Sequence, residues 1–136
     1  MLYEVNYLAV VVATVVSFLF GWAWYGPVFG KKWIALMGYT KENMTSMKMK
    51  PMTAMVLGFV SNLVMAYVVA MLAGLLGLSG FGGAFTLAFW VWLGFVATIS
   101  MGSVLWENRS WSLYCFNVVY QFVLIFIMAI IVVMWM

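Results

Sequence analysis

Residues 21–33 read GWAWYGPVFGKKW, and this stretch marks the point where an apolar helix ends. Trp and Tyr collect at the headgroup level of a bilayer, because each combines an apolar ring with a polar group. Pro27 removes a backbone donor, so a helix entering the stretch is expected to stop just before it. The paired lysines Lys31 and Lys32 favour the cytoplasmic flank of a membrane. The pattern therefore predicts a membrane helix that leaves the bilayer on the inner side.

The composition around this stretch is that of an integral membrane protein. Of 136 residues, 68% are hydrophobic and 7% are charged, which is more apolar surface than a soluble core can bury. The net charge of +3 comes from residues beside apolar segments and does not indicate nucleic-acid binding. The single cysteine, Cys115, excludes an internal disulfide. Because histidine is absent, histidine-ligated haem, most zinc sites and Ser-His or Cys-His nucleophile pairs are not expected.

Four apolar stretches are each long enough to cross a bilayer, for which about 20 residues suffice. We predict an all-α integral membrane protein with a single transmembrane domain over residues 1–136. Its four transmembrane helices are expected at about 5–25, 52–76, 84–106 and 112–135. The inner basic loop, 26–51, begins with aromatic and lysine residues that fit a short interfacial helix, with a disordered connector as the alternative. Residues 1–7 lack a basic region, so no cleavable signal peptide is expected.

The basic residues lie on one side of these helices. Five of the six are lysines of the first connection, and the sixth, Arg109, lies in the third connection. The second connection and both tails carry no Lys or Arg. By the positive-inside rule, the basic loops are cytoplasmic and both termini lie outside. The sequence thus predicts a multi-pass protein of the cell (inner) membrane.

Small residues form two stripes at four-residue spacing, and such stripes let another helix approach closely. The first stripe comprises Ala9, Ala13, Ser17 and Gly21, and the second comprises Gly94, Thr98 and Gly102. Chance spacing of small residues is the alternative explanation. Since the third helix also carries serines on nearly the opposite side, we expect it to be the most enclosed of the four.

Polar side chains inside apolar helices are candidates for function, because they are costly against lipid. The candidate interior polar site consists of Asn62, Asn117, Gln121, Ser100 and Ser103. These groups could line a path for a solute, or could only join helices through hydrogen bonds of about 0.6 kcal/mol each. A candidate inner-interface cluster consists of Trp24, Tyr25, Lys31, Lys32, Trp33, Glu107, Arg109 and Trp111. Within it, we predict that Glu107 pairs with Arg109 or with a lysine of the first loop.

The two halves of the chain can be aligned with Gly102 on Gly21, which lays the second stripe over the first. In each half a basic residue and a Trp follow the helix, and the next helix carries one asparagine, Asn62 or Asn117. This pattern predicts a duplicated helical hairpin, two plus two in a parallel repeat, with both asparagines facing a shared interior. The alternative is that aromatic and basic residues flank membrane helices generally.

Two motifs carry a family resemblance. The first is NYLA at 6–9, WYGP at 24–27, FGK at 29–31 and LMG at 36–38; the second is WLGF at 92–95 followed by Glu107, Arg109, Trp111, Asn117 and Tyr120. Over nearly its whole length the chain resembles the small four-helix bacterial membrane proteins of the domain of unknown function 1761 family. The resemblance implies the architecture and no particular activity. It also leads us to expect a histidine where Gln121 stands and a proline where Ser110 stands.

Three classes of function remain to be weighed. Catalysis is not expected, because the carboxylates Glu4, Glu42 and Glu107 lie far apart and none belongs to a recognisable catalytic pattern. We predict no catalytic residues, no metal site and no cofactor. The preferred hypothesis is a non-enzymatic membrane protein that packs through its small-residue helix faces, as a homo-oligomer or as a membrane subunit, with the lipid bilayer as its surroundings. The alternative is a transporter or channel for a small solute or ion, formed by an oligomer with a polar interior.

Overall fold

The computed structural model describes residues 5–38 and 51–135, in which every regular element is helical. Four stretches are long and apolar enough to cross a membrane: Tyr7–Val28, Met52–Leu75, Gly80–Leu105 and Trp111–Met134. We call them the first to fourth spans. The expected fold, an all-helical chain with four candidate membrane helices, is confirmed at this level. Residues 39–50 of the predicted basic loop lie outside the described residues, as does Glu4.

Asn6 begins the first span and connects it to the end of the fourth. Its side chain accepts a hydrogen bond from the amide of Ala9 at 3.2 Å, which caps the helix. Its Nδ2 donates to the carbonyl of Trp135, also at 3.2 Å. We call this end of the molecule the terminal end. The opposite end, which carries the connections after the first and third spans, is called the loop end.

The first span ends in a kinked π-helical turn. Its α-helical part covers Tyr7–Ala23, and the π-helical turn covers Trp24–Val28. Gly26 has φ −114° and ψ −106°, outside the helical region, directly before Pro27. The break that the sequence indicated before the proline is therefore a kink. The following helix, Gly30–Met37, ends at Gly38 in the left-handed conformation with φ 72°.

The fourth span is the centre of the packing. It contacts all three other spans, whereas the third span packs mainly on the fourth and only slightly on the second. In the most apolar 18-residue window, 44% of the fourth span is buried and 22% of the third. The expectation that the third helix is the most enclosed is therefore wrong. Because one neighbour holds this helix, much of its circumference faces outward, including Phe95 and Ile99, which are 67% and 76% exposed.

A core of mainly aliphatic side chains fills the half of the molecule near the terminal end. Alanines of the first three spans, such as Ala13, Ala73 and Ala88, are fully buried around the fully buried Met128 of the fourth. Small side chains let the helices approach closely, so dispersion contacts accumulate along the seams. In lipid these contacts replace the hydrophobic effect as the main source of helix association.

The third span begins at Gly80, four residues before its predicted start. The glycine-rich sequence of residues 77–83 is typical of a turn, and Gly77 and Gly80 do have positive φ angles of 65° and 70°. Gly83, however, lies inside the helix, where an added Cβ would come 3.3 Å from the Cβ of Leu78. Gly83 therefore allows close packing. From the sequence alone, a glycine in this role cannot be distinguished from a glycine in a turn.

A tight turn joins the third and fourth spans at the loop end. Asn108 has a φ of 59°, a left-handed conformation that asparagine tolerates. The amide of Arg109 donates to the carbonyl of Ser103 at 3.0 Å. Ser110 then caps the fourth span, since its Oγ accepts from the amide of Leu113 at 3.1 Å. The serine that stands in place of an expected proline thus begins the central helix.

Candidate functional site

Aromatic rings fill the contact between the first and fourth spans near the loop end. Neighbouring ring centroids lie 4.6 to 6.0 Å apart, in mostly tilted or edge-to-face arrangements that suit the ring quadrupoles. This aromatic cluster consists of Phe20, Trp24, Tyr25, Phe29, Phe116 and Tyr120. Two of its members, Trp24 and Tyr25, belong to the π-helical turn. The kinked end of the first span is therefore packed on the fourth span.

Tyr25 also makes the main polar contact between these spans. Its hydroxyl donates a hydrogen bond to Oδ1 of Asn117 at 2.7 Å. Tyr120 and Trp33 pack on its ring, with centroids 4.9 and 5.5 Å away. The sequence analysis placed Tyr25 in the interface cluster and Asn117 in the interior site. The structure joins the two groups through this bond.

A polar cavity of about 180 Å³ lies between the third and fourth spans at the loop end. Apart from Ile99, all its lining residues are polar: Ser100, Ser103, Glu107, Tyr114, Asn117 and Gln121. Ser100 Oγ lies 3.5 Å from Oε1 of Gln121, at the long limit for a hydrogen bond. Four of the five predicted interior residues therefore surround one cavity, which we call the polar cavity.

The polar cavity reaches from the loop end to about the middle of the fourth span. Asn117 and Gln121 lie six and ten residues after the start of this span at Trp111. At 1.5 Å per residue, they are roughly 9 and 15 Å from its end. Glu107 lies outside the spans, at the entrance. The deepest polar group, Gln121, therefore lies closer to the middle of the 24-residue fourth span than to its start.

The polar cavity offers hydrogen-bonding groups rather than reactive ones. Its amides and hydroxyls supply donors and acceptors, and Glu107 supplies its one formal charge. Nδ2 of Asn117 makes no hydrogen bond to another described residue. Across residues 5–38 and 51–135, no three Cys, Asp or Glu side chains lie close enough together to hold a metal.

Asn62 lies in a different cavity, contrary to the prediction of a shared interior with Asn117. This second cavity has a volume of about 350 Å³ and a mainly apolar lining: Phe18, Gly21, Trp22, Tyr25, Met55, Gly58, Asn62 and Tyr120. Tyr25 lines it, while its hydroxyl bonds to Asn117 in the wall of the polar cavity. The Tyr25 side chain therefore lies between the cavity that contains Asn62 and the cavity that contains Asn117.

The charged members of the predicted interface cluster are spread over the loop end. Lys31, Lys32, Glu107 and Arg109 are all exposed. Among the residues that the structure describes, Glu107 forms no ion pair with Arg109 or with either of these lysines. The predicted pairing with Arg109 is therefore absent, which agrees with the small gain available to exposed ion pairs. The alternative pairing with Lys41, Lys48 or Lys50 lies outside the described residues. Trp111 is also 57% exposed at this end.

The first small-residue stripe packs inside the chain. Ala9, Ala13 and Ser17 are 1%, 0% and 0% exposed. Ser17 Oγ has no hydrogen-bond partner among the described residues, so its small size rather than its hydroxyl suits the contact. Gly21 ends the stripe, where an added Cβ would lie 2.6 Å from the hydroxyl oxygen of Tyr120. The glycine is needed for this close approach of the fourth span.

The second stripe has no neighbour within the described chain. Gly94 and Thr98 are exposed, and nothing lies within 4 Å of a Cβ added at Gly94. At Gly102, the only side chain that an added Cβ would meet is Trp106 of the same helix, at 3.9 Å. The two aligned stripes thus have different surroundings. The first stripe faces another helix, and the second faces the outside of the molecule.

Two aromatic side chains make interhelical polar contacts that the sequence analysis did not assign to a site. The Tyr114 hydroxyl donates to the carbonyl of Ala97 at 2.7 Å, and Nε1 of Trp92 donates to the carbonyl of Val118 at 2.8 Å. Both contacts hold the π-helical segment Trp92–Ala97 of the third span to the fourth span. An aromatic residue with a polar atom inside an apolar helix is the signal that indicates such contacts.

A protein-family model described as "protein of unknown function (DUF1761)" matches residues 8–133. The chain belongs to the DUF1761 family. The match includes every residue that lines the polar cavity of this DUF1761 protein. No curated protein and no solved structure matches the chain. Gln121, at the position where the family resemblance leads us to expect a histidine, is the deepest polar group of the cavity.

Proposed function

We propose that this DUF1761 protein is a non-enzymatic membrane carrier that binds a small polar solute in the polar cavity. The observation that supports this is the convergence of Ser100, Ser103, Asn117 and Gln121 on one cavity with a carboxylate at its entrance. Polar groups inside a membrane bundle are functional candidates by default. Donors, acceptors and one negative charge favour a small cation or a neutral hydrogen-bonding molecule.

The size and chemistry of the polar cavity limit the proposal. A volume of about 180 Å³ corresponds to roughly six water molecules at about 30 Å³ each, so the solute has few non-hydrogen atoms. Nucleophilic or acid–base catalysis needs an activated nucleophile or a suitably placed base. Among the described residues that line it, Glu107 is the only carboxylate, and none is a cysteine or lysine. Binding therefore fits the site better than catalysis.

We also propose that the carrier is a homo-oligomer, which retains the self-association favoured by the sequence. The polar cavity reaches the side of the molecule at Ile99, which is 76% exposed. Polar groups open to hydrocarbon are costly, so this side is expected to be covered in the membrane. Gly94 and Thr98 lie exposed on the same helix and would let a second copy approach closely.

The proposed orientation places the loop end in the cytoplasm. Lys31, Lys32 and Arg109 are all exposed at this end, in agreement with the positive-inside rule. The helix Gly30–Met37 follows the kink directly, with both lysines exposed and Trp33 half-buried, which supports an interfacial position. The parallel repeat rests on the sequence pattern, because the π-helical segments Trp24–Val28 and Trp92–Ala97 do not coincide when Gly102 is aligned on Gly21, and the two hairpins pack unequally.

A liposome flux assay with sodium, potassium, methylammonium and urea tests the carrier proposal. Gln121→Leu should lower flux at least about fivefold, because one hydrogen bond to the solute contributes about 1 kcal/mol. Asn62→Leu is the matched control, since it makes a similar change in the other cavity. Glu107→Gln should reduce cation flux more than urea flux. Equal effects of the two leucine variants, or no flux of any probe, would contradict the proposal.

Disulfide cross-linking tests the proposed self-association separately. In a Cys115→Ser background, Thr98→Cys places a thiol on the exposed stripe of the third span. We expect oxidation in the membrane to give a covalent dimer. Ser61→Cys is the control, because Ser61 is exposed on the second span. Cross-linking at similar rates from both positions would show random collision instead of a specific contact.

A further inference from the structure

An amphipathic cavity of about 480 Å³ lies at the loop end between the helix Gly30–Met37 and the start of the fourth span. Its lining residues are Trp24, Phe29, Lys32, Leu36, Ser112, Cys115, Phe116 and Val119. We call it the interface cavity. It shares no lining residue with the polar cavity, because it uses a different face of the fourth span.

The polar groups of the interface cavity favour an anion. Among the residues that the structure describes, Lys32 is the only formally charged one in the lining, and no carboxylate lines the cavity. Ser112 adds a hydroxyl from the first turn of the 24-residue fourth helix, where backbone N–H groups lack helical partners. The positive end of the helix dipole favours negative charge at the same place. Lys32 and Ser112, beside a helix N-terminus whose Leu113 amide is already capped by Ser110, together suit a phosphate group.

The remaining walls favour a hydrocarbon chain. Phe29, Leu36 and Phe116 give the cavity an apolar side, and Val119 extends it along the fourth span. Val119 lies eight residues after Trp111, roughly 12 Å into the span at 1.5 Å per residue. The cavity thus runs from the depth expected for headgroups to that of acyl chains.

We infer that the interface cavity binds one anionic phospholipid, with the phosphate beside Lys32 and an acyl chain along Phe116 and Val119. The apolar walls favour a lipid over free phosphate, because phosphate alone would leave them in contact with water. The lysine and the helix N-terminus favour an anionic lipid over a zwitterionic one. This site does not depend on the proposed carrier function.

The test compares phosphatidylglycerol with phosphatidylcholine binding to the purified full chain in mixed micelles, measured by native mass spectrometry. Lys32→Gln should weaken phosphatidylglycerol binding about fivefold, the factor for about 1 kcal/mol per basic residue at a membrane surface. Lys31→Gln is the matched control, since Lys31 is also exposed and does not line the cavity. Equal losses in both variants, or no preference for phosphatidylglycerol in the native chain, would overturn the inference.

The single cysteine provides a second measurement, because Cys115 lines the interface cavity and is exposed. Phosphatidylglycerol should slow its modification by a small maleimide in the native chain and in Lys31→Gln, and about five times more of the lipid should be needed for the same protection in Lys32→Gln. Glycerol 3-phosphate at the same concentration should give no protection. Protection by glycerol 3-phosphate equal to that by the lipid would assign the site to free phosphate and overturn the lipid proposal.

Discussion

The hydrogen bond between Tyr25 and Asn117 allows a direct test of the loop-end structure. Tyr25→Phe keeps the ring and removes the hydroxyl, so Oδ1 of Asn117 loses a donor that lies 2.7 Å away. Interhelical hydrogen bonds in membrane proteins contribute about 0.6 kcal/mol on average and up to about 1.7. Both side chains are half-buried and line cavities, so water can partly replace the lost donor. We expect the free energy of unfolding to fall by about 1 kcal/mol.

The assay is equilibrium unfolding by SDS in mixed micelles, with Tyr25→Phe and Asn117→Leu measured singly and together. The double-mutant cycle should give a coupling free energy of about 0.5 to 1 kcal/mol. Tyr120→Phe is the matched control, because its hydroxyl makes no hydrogen bond to another described residue. If the two tyrosine variants cost the same, or if the coupling is zero, the bond does not stabilise the fold as argued.

Two further predictions concern helix packing and orientation. In a thermal unfolding assay, Gly21→Ala should destabilise the protein by roughly 1–3 kcal/mol, because the added Cβ overlaps the Tyr120 hydroxyl at 2.6 Å. Gly58→Ala is the control and should be neutral or stabilising, since nothing lies within 4 Å of its added Cβ. In a Cys115→Ser background, an impermeant thiol reagent applied outside the cell should label Ser79→Cys and should not label Lys41→Cys. The reverse labelling pattern would show that the protein has the opposite orientation.

Hydropathy was sufficient to predict the number of spans, because a bilayer requires continuous apolar helices and leaves few alternatives. Local chemistry also indicated the break before Pro27, where the structure has a kink at Gly26. The start of the third span was less predictable. Glycine at residues 80–83 is compatible with a turn or with close packing, and only the position of Leu78 beside Gly83 decides between them.

The sequence did not predict which helices pack against each other. The stripes at Ala13 and Gly94 have the same spacing, yet one is buried and the other exposed. A stripe reports the shape of one helix and carries no information about its neighbour. The same holds for Asn62, which is partly buried but lines a different cavity from the one predicted. Whether a small or polar face is buried depends on how its helix packs around the fourth span, which contacts all three other spans.

The distribution of polar groups decides how a solute could cross this protein. Beyond Gln121, the buried face of the fourth span is aliphatic, and Met128 is fully buried among alanines. A solute that reaches Gln121 from the loop end therefore meets a packed core over the remaining half of the span. Either the third span moves away from the fourth, to which it is mainly attached, or the path lies between two copies.

Covalent cross-linking separates these two routes. A Thr98→Cys disulfide between two copies restrains the third span without touching the polar cavity, which Thr98 does not line. If the third span must move, flux should stop on oxidation and return on reduction. If the path lies along a fixed contact between copies, flux should persist in the cross-linked dimer. Because Gln121→Leu is expected to lower flux by either route, only the cross-linked protein tells whether the third span, which packs almost entirely on the fourth, is the moving part of the proposed carrier.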